Sequence, residues 1–287
     1  MLLKFVAIIS VFTVIAQSVP VLPFIDSSLP IKFREVIAEP APSIPSNLAS
    51  YASAVDFSDL ASLAELQYIK QSGYSVIFVR VYTQGSFDQN ACSTIYSAYN
   101  AGLGTEPFMF PQPLSNKPGN QQLDEVYQGL TECGITVRSI WIQVTTPINW
   151  SSYPNNNISF INSIVTRARQ YGITVGIYTS YSNWSQITNG YSNIGNDVLL
   201  WYWSVFEEGA NGETPANFDD FRAFGCWTVP TVKQFAQMEK SVHWMLTKMF
   251  MLLEKRSRQL KKMTRCIPEA SLVEISSYDW LILSIRY

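Results

Sequence analysis

From Tyr51 onward, short runs of apolar, β-branched and aromatic residues alternate with longer polar segments that are compatible with helices. Continuous apolar runs of this length predict strands buried on both faces, because a half-exposed strand would alternate apolar and polar positions. Their spacing is typical of parallel strands joined by crossover connections. The predicted strands are residues 52–56, 75–81, 105–110, 139–144, 174–178 and 198–203.

The segments between these runs predict helices, several of which are followed by a glycine, as a helix C-terminus prefers. The predicted helices are residues 62–71, 90–101, 121–132 and 158–171, and the glycines are Gly73, Gly102, Gly134 and Gly172. Buried strands that are each followed by a helix favour a closed α/β barrel. An open, doubly wound sheet is the alternative.

The first 50 residues have a different pattern. Lys4 precedes an apolar run over residues 5–16, which matches the start of a secretory signal peptide, so we expect residues 1–18 to be removed. Residues 19–50 contain six prolines, which is typical of an extended linker or propeptide. We therefore expect a barrel domain over residues 51–239 and a protein that is secreted or held in the lumen of secretory or lysosome-related vesicles. We expect no membrane partner, because no stretch reaches the roughly 18 apolar residues of a transmembrane helix.

Several motifs resemble those of glycoside hydrolase family 25 lysozymes. Ala54-Val55-Asp56-Phe57-Ser58 resembles the first strand of that family. The segment Val175-Gly176-Ile177-Tyr178-Thr179-Ser180, followed by Trp184, is similar to its fifth-strand signature. Phe78-Val79-Arg80 with Asp88, and then Leu200-Trp201, match its second and sixth strands in order. The resemblance covers residues 51–239, is nearest to the protist-type branch that nematodes also carry, and implies an irregular, TIM-like (β/α)5(β)3 barrel.

The same resemblance implies where the chemistry lies. Retaining glycosidases use two carboxyl groups about 5 to 5.5 Å apart, one as acid and one as nucleophile or stabiliser. Asp56 matches the first-strand carboxylate of the family, although an aspartate before Ser58 could equally cap the following segment. The Asp-x-Glu expected on the fourth strand is replaced by Trp141-Ile142-Gln143. Glutamine has no titratable proton, so Gln143 cannot serve as the general acid.

Other acidic residues follow strand ends and could replace the missing acid: Asp88, Glu207 and Glu208. Each is also explained as a solvated loop charge. Glu106 opens its strand, which places it at the opposite, non-catalytic end of the barrel. Arg80 ends the second strand, where it could orient a carboxylate or form a structural salt bridge.

Aromatic residues supply surfaces that could stack on sugar rings. The candidates for substrate binding are Trp150, Tyr178, Trp184 and Trp201, with Ser180 placed beside them by the fifth-strand signature. Aromatic residues on strands are also common core residues, and Trp201 and Trp203 could each belong to the core or to the cleft.

The remaining composition excludes several kinds of site. The chain has one histidine, His243, and four cysteines without a C-x-x-C spacing, so neither a zinc site nor a Ser-His-Asp triad is expected. We expect no cofactor and no metal, and disulfides of undetermined connectivity among Cys92, Cys133, Cys226 and Cys266. No Gly-rich phosphate loop or basic helix lies within residues 51–239, so a nucleic-acid partner is not expected.

Taken together, these features predict a secreted, monomeric lysozyme that hydrolyses bacterial cell-wall glycan in innate antibacterial defence or digestion. The alternative is a glycan-binding immune effector that keeps the groove but has lost the acid. A hydrolase of another polysaccharide, such as chitin, is a third hypothesis, since barrel clefts of this kind differ mainly in their loops.

The C-terminal segment departs from the rest of the chain. Residues 51–239 contain eight Lys and Arg against fifteen Asp and Glu, whereas residues 240–287 contain nine against four. Trp and Met each have a single codon, and shifting the frame across residues 243–251 permits the reading Leu-Asp-Val-Asn-Gln-Asp-Val-Tyr. That reading resembles the family's last-strand motif, Val-Asp-x-Asn-x-Phe. A frameshift near Lys240 is therefore one hypothesis, and a basic tail that binds an anionic surface is the other. If the printed frame is real, we expect the last strand to be missing or altered, with one barrel edge left open or patched by an unrelated segment.

Sequencing of the genomic locus and the transcript decides between the two hypotheses for residues 240–287. A frameshift predicts that the genomic locus encodes the last-strand motif in the alternative frame. Transcripts that carry the printed frame without interruption would rule the frameshift out.

Overall fold

The structure of the protein is a computed structural model that describes residues 51–237, 239–240 and 245–252. The expected signal peptide, the proline-rich segment 19–50 and most of the basic tail lie outside the described residues. Among the described residues, no helix is long and apolar enough to cross a membrane.

The elements follow one another in the order that the sequence predicts for most of the chain. The helices are α1 (Leu63–Gln71), α2 (Asn90–Asn100), α3 (Gly119–Glu132), α4 (Pro154–Gln170) and α5 (Tyr181–Thr188). The strands are β1 (Tyr51–Phe57), β2 (Val76–Thr83), β3 (Ser86–Phe87), β4 (Gly104–Met109), β5 (Ser139–Gln143), β6 (Thr174–Thr179), β7 (Leu199–Trp203), β8 (Val232–Gln234), β9 (Glu239–Lys240), β10 (Met245–Leu246) and β11 (Lys248–Leu252). Each of the six predicted strands and four predicted helices is present within a few residues of its expected bounds.

Eight strands of the described chain close into a barrel with helices on its outside, which confirms the predicted α/β barrel. The barrel order is β1-β11-β8-β7-β6-β5-β4-β2, and β2 pairs with β1 to complete the circle. The barrel strands β1, β2 and β4 to β8 run parallel to one another, while β11 runs antiparallel to both β8 and β1. The carboxyl ends of the parallel strands therefore share one end of the barrel.

The sequence left the barrel edge after residue 239 either open or patched by an unrelated segment, and the structure shows the second outcome, because β11 lies beyond that residue. This strand fills the gap between β1 and β8, so no barrel edge is open there. The sequence of β11 fits this position between β1 and β8, because alternate residues of a strand face opposite sides of the sheet. Met249 and Met251 are buried among the residues of the barrel interior, and the outward-facing Lys248 is paired with Glu213 at 2.6 Å. The helix α5 and the short strands β3 and β8 to β11 were not predicted.

Side chains from alternate positions fill the barrel interior. A central layer contains Phe78, Phe108, Trp141 and Trp201, each at most 3% exposed. The ring centroids of Phe78 and Trp201 lie 4.5 Å apart, and Trp141 meets Trp201 edge-on at 6.0 Å. Gly176 on β6 leaves the space that the Trp141 ring occupies. The barrel is thus closed at mid-height by an aromatic layer.

Contacts outside the barrel hold the helices and the long connection after β7. The disulfide Cys92–Cys133 joins α2 to the end of α3, which resolves the connectivity of two of the four cysteines. The fully buried Lys233 on β8 pairs with Asp220 at 2.8 Å. With the pair Lys248–Glu213, this ion pair ties residues 204–231 to the outer face of the barrel.

We predict that Gly176→Ala lowers the free energy of unfolding by about 3 kcal/mol, because overpacking a closed core forces the backbone or ring to move. An added Cβ would lie 2.1 Å from Cε3 of Trp141. Gly104→Ala is the matched control in another strand, since its nearest neighbour, Cγ2 of Val76, would be 3.5 Å away. Chemical denaturation of both variants tests this. Equal stability of the two would contradict the described packing.

Candidate functional site

Five side chains with polar groups lie one inward position beyond the aromatic layer, at the carboxyl ends of the parallel strands, and form what we call the polar layer. They are Asp56 on β1, Arg80 on β2, Gln143 on β5, Tyr178 on β6 and Gln234 on β8. The period of two that directs Phe78 and Trp141 inward also directs these five residues inward. In an α/β barrel this end is the one that carries functional residues.

Asp56 is the carboxylate of this layer. Burial raises its pKa to about 6, and this effect outweighs the hydrogen bonds from Thr247 and the attraction of Arg80, which act in the opposite direction. Removing water from around a carboxylate penalises the charged form. Asp56 therefore retains its proton under mildly acidic conditions, as a general acid must.

Arg80 lies near Asp56 and also faces Asp88. A guanidinium nitrogen of Arg80 donates to the carbonyl of Ser58 at 2.6 Å and lies 3.9 Å from the carboxylate of Asp88. The other oxygen of Asp88 accepts from the backbone of Asn90, at the start of α2. Both residues thus make structural contacts within reach of the site, and Asp88 is committed to partners other than Asp56.

Gln143 and Tyr178 lie across the barrel from β1. The amide nitrogen of Gln143 donates to Oγ1 of Thr145 at 3.0 Å. The Tyr178 hydroxyl donates to Oε1 of Gln234 at 2.6 Å, and its ring stacks on Trp201 with centroids 4.1 Å apart. Burial and the charge of Asp56 hold the pKa of Tyr178 above its usual range, so this phenol stays protonated.

A pocket of about 370 Å³ opens next to this layer. Its lining residues carry amide, hydroxyl or aromatic groups and no ionisable acid or base other than the Tyr178 phenol. They are Gln143, Thr145, Thr146, Tyr178, Asn183, Trp203 and Gln237. Such a lining offers hydrogen bonds in both directions together with flat apolar surfaces.

Two tryptophans that were expected to line a groove are core residues instead. Trp150 is 5% exposed and donates to the carbonyl of Thr145, while Trp184 is 1% exposed and donates to the carbonyl of Tyr191. Trp150 packs edge-on against Phe160 of α4, whereas Trp184 lies on α5 and packs against Trp227. Both indole N–H groups donate hydrogen bonds inside the protein, so burial of these rings leaves neither donor unsatisfied.

Two other candidates have structural positions beneath or beside the pocket. Ser180 caps α5 by accepting from the backbone of Asn183 at 3.1 Å. Trp201 lies inside the barrel, where it supports the ring of Tyr178. Neither lines the pocket.

The acids outside the polar layer are distributed as the sequence suggests. Glu106 accepts from Ser139 and from the indole of Trp141 at the opposite end of the barrel, as predicted. Glu207 and Glu208 are exposed in the connection after β7. The structure thus brings Asp56, Arg80, Gln143 and Tyr178 together and leaves Glu207 and Glu208 as surface charges.

Some pocket residues were missed by sequence reasoning. Thr145 and Thr146 follow β5, Asn183 lies in the first turn of α5, and Gln237 follows β8. Their common signal is a small uncharged polar residue within a few positions of a strand end. That signal is weak, because the same residues are frequent in any loop.

Comparisons with known proteins agree with this architecture. The family described as "Lysozyme-like protein 1" matches residues 47–235. The chain is 64% identical over 241 residues to "Lysozyme-like protein 7" of Caenorhabditis elegans, a match that covers 82% of this chain and 85% of that protein. It is 30% identical over 188 residues to "Probable GH family 25 lysozyme 2" of Dictyostelium discoideum, covering 65% of this chain and 84% of that protein.

A solved structure shows the same fold at low identity. The bacterial lysozyme from Streptomyces coelicolor has a TM-score of 0.56 and 16% identity, and the match covers 75% of this chain and 98% of that chain. The barrel of this chain is therefore similar to that lysozyme over nearly the full length of the lysozyme chain.

Asp56 is expected to make stability depend on pH. Between about pH 4 and pH 6 an unfolded aspartate releases its proton while folded Asp56 keeps it, so stability falls as the pH rises. Two pKa units correspond to about 2 to 3 kcal/mol. Asn cannot ionise, so Asp56→Asn removes this pH-dependent loss of stability. The difference in unfolding free energy between the variant and the unmodified protein should therefore shift in favour of the variant as the pH rises from 4 to 7.5.

Urea denaturation at the two pH values measures the effect, with Asp59→Asn at an exposed position three residues away as the control. The control should differ from the unmodified protein by the same amount at both pH values. An Asp56→Asn variant that behaves like this control would contradict the raised pKa.

Proposed function

Since the chain belongs to the lysozyme-like proteins of glycoside hydrolase family 25, we propose that it is a secreted protein that hydrolyses bacterial peptidoglycan in innate defence or digestion. The observation that carries this proposal is Asp56, a carboxyl group with a pKa of about 6 that lies in the same polar layer as the pocket residues Gln143 and Tyr178. Lysozymes act on the glycan of bacterial walls, and the relatives with lysozyme names support the same substrate for this chain.

The chemistry follows from the protonation state of Asp56. Below about pH 6 its carboxyl proton is available to the glycosidic oxygen as the bond to the anomeric carbon breaks. Water then adds to that carbon and returns a proton to the Asp56 carboxylate. The 2-acetamido oxygen of the substrate can stabilise the oxocarbenium-like centre, as in substrate-assisted glycosidases that lack a protein nucleophile.

Gln143 favours a second candidate function. It occupies the position of the family's acid and cannot donate a proton to a leaving group, but its amide can hydrogen-bond a sugar. A protein with this substitution could hold wall glycan without cleaving it and act as a secreted immune effector. Both functions need the same pocket, but only the first includes cleavage of the bound glycan.

Release of soluble fragments from purified peptidoglycan tests the proposal. We predict hydrolysis that is fastest below pH 6 and falls about tenfold per pH unit above it, because the protonated fraction of Asp56 falls by that factor. Asp56→Asn should lower the rate by about 100-fold or more. Gln143→Glu should increase the rate, because it supplies a second carboxyl group.

Asp59→Asn serves as the control variant and should leave the rate unchanged. Binding to peptidoglycan without fragment release, by the unmodified protein and by Gln143→Glu alike, would favour the non-cleaving effector. Activity that survives in Asp56→Asn would refute the role of Asp56.

A further inference from the structure

The sequence contains three tripeptides of the form Asn-x-Ser, the acceptor motif for N-linked glycans in the secretory pathway. They begin at Asn149, Asn157 and Asn183, and the first and third are the identical tripeptide Asn-Trp-Ser. The motif therefore cannot distinguish Asn149 from Asn183, whereas the conformation and exposure of each asparagine can. An N-linked glycan is bulky and hydrated, so a folded protein accommodates it only at the surface.

Asn157 is excluded by its position in the core. It lies in α4 and is 1% exposed. Its Nδ2 donates to the carbonyl oxygens of Ser151 at 2.9 Å and Ile187 at 2.8 Å, and its Oδ1 accepts from the backbone of Ser151 at 3.0 Å. A glycan replaces one hydrogen of Nδ2, so it would break one of these buried bonds and force a polar sugar among packed residues. A chain with a glycan at Asn157 cannot reach the described fold.

Asn183 lies within a helix and lines the pocket. Its backbone N–H donates to Oγ of Ser180, which fixes it in the first turn of α5, and the residue is half-buried. It borders the pocket next to the polar layer together with Gln143 and Tyr178. A glycan on Asn183 would obstruct this pocket and so would be incompatible with a ligand bound there.

Asn149 has the opposite surroundings. It is exposed in the connection between β5 and α4, and the preceding Ile148 is 85% exposed, so this segment projects into solvent. Trp150 then leaves the short helical turn in an extended conformation, with φ −114° and ψ 161°. The tripeptide is therefore a surface loop, as a glycosylation acceptor requires. Asn149 is not one of the residues that line the pocket.

We propose that Asn149 carries an N-linked glycan in the secreted protein and that Asn157 and Asn183 carry none. The inference rests on the secretion that the proposed function includes, and it adds a modification site to that function. Of the three positions, only Asn149 combines surface exposure, a loop conformation and a place outside the pocket. A glycan there is compatible with both the fold and an open site.

Expression of the full chain through the secretory pathway of a eukaryotic cell line tests the assignment. Peptide-N-glycosidase F converts a glycosylated asparagine to aspartate, so digestion in water enriched in heavy oxygen labels the modified position for peptide mass spectrometry. We expect the label at Asn149 alone. We also expect a single shift in electrophoretic mobility when the secreted protein is digested.

Matched variants assign the shift to one motif. Asn149→Gln removes the acceptor at an exposed position and should abolish the mobility shift, whereas Ser151→Thr keeps the motif and should retain the shift. Ser159→Ala and Ser185→Ala remove the other two motifs without altering their asparagines, and each should leave the shift unchanged. The peptide map of the unmodified protein gives the same answer without any substitution.

The outcomes separate this assignment from the proposed function. A secreted protein whose Asn149 is unmodified, or whose Asn157 or Asn183 is labelled, overturns the assignment. If that protein still releases fragments from peptidoglycan, the proposed function stands. A chain that stays in the cytosol without a glycan overturns the assignment and the proposed secretion together.

Discussion

The aromatic layer at mid-height in the barrel is the constraint on which the site depends. Phe78, Trp141 and Trp201 fill the interior, and Gly176 is the position that lets the Trp141 ring fit. The next inward position on β1 places Asp56 above this apolar layer, where its carboxyl group is largely withdrawn from solvent. The raised pKa of Asp56 is thus a consequence of packing, and it is the property that makes this carboxyl group useful at mildly acidic pH.

The segment that closes the barrel, β11 with the preceding Thr247, also contacts the carboxylate of the site. Thr247 directly precedes this strand, and its carbonyl accepts from the backbone of Asp56 while its hydroxyl bonds the carboxyl group. The buried pair Lys248–Glu213 anchors the same segment to the connection after β7. The ion pair of this buried lysine holds the segment from the outside of the barrel and so helps to keep Thr247 beside Asp56.

Much of the fold was predictable because buried strands and glycine-terminated helices leave strong local patterns. The polar layer containing Asp56, Gln143 and Tyr178 was predictable from the family motifs. The burial of Trp150 and Trp184 was not predictable, since the sequence places them after strands but cannot show that Trp150 packs against Phe160 and Trp184 against Trp227. The strand β11 was missed because Met249 and Met251 lie in a segment whose composition suggested another reading frame, and tertiary closure alone reveals its role.

The central claim is that burial at the carboxyl ends of the barrel strands raises the pKa of Asp56 to about 6 and so keeps it protonated in mildly acidic solution. Carbon-13 NMR titration of the side-chain carboxyl groups, with Asp56 assigned by its loss in Asp56→Asn, measures this directly. The account predicts a transition near pH 6. A transition near pH 4, the ordinary range for aspartate, would contradict it.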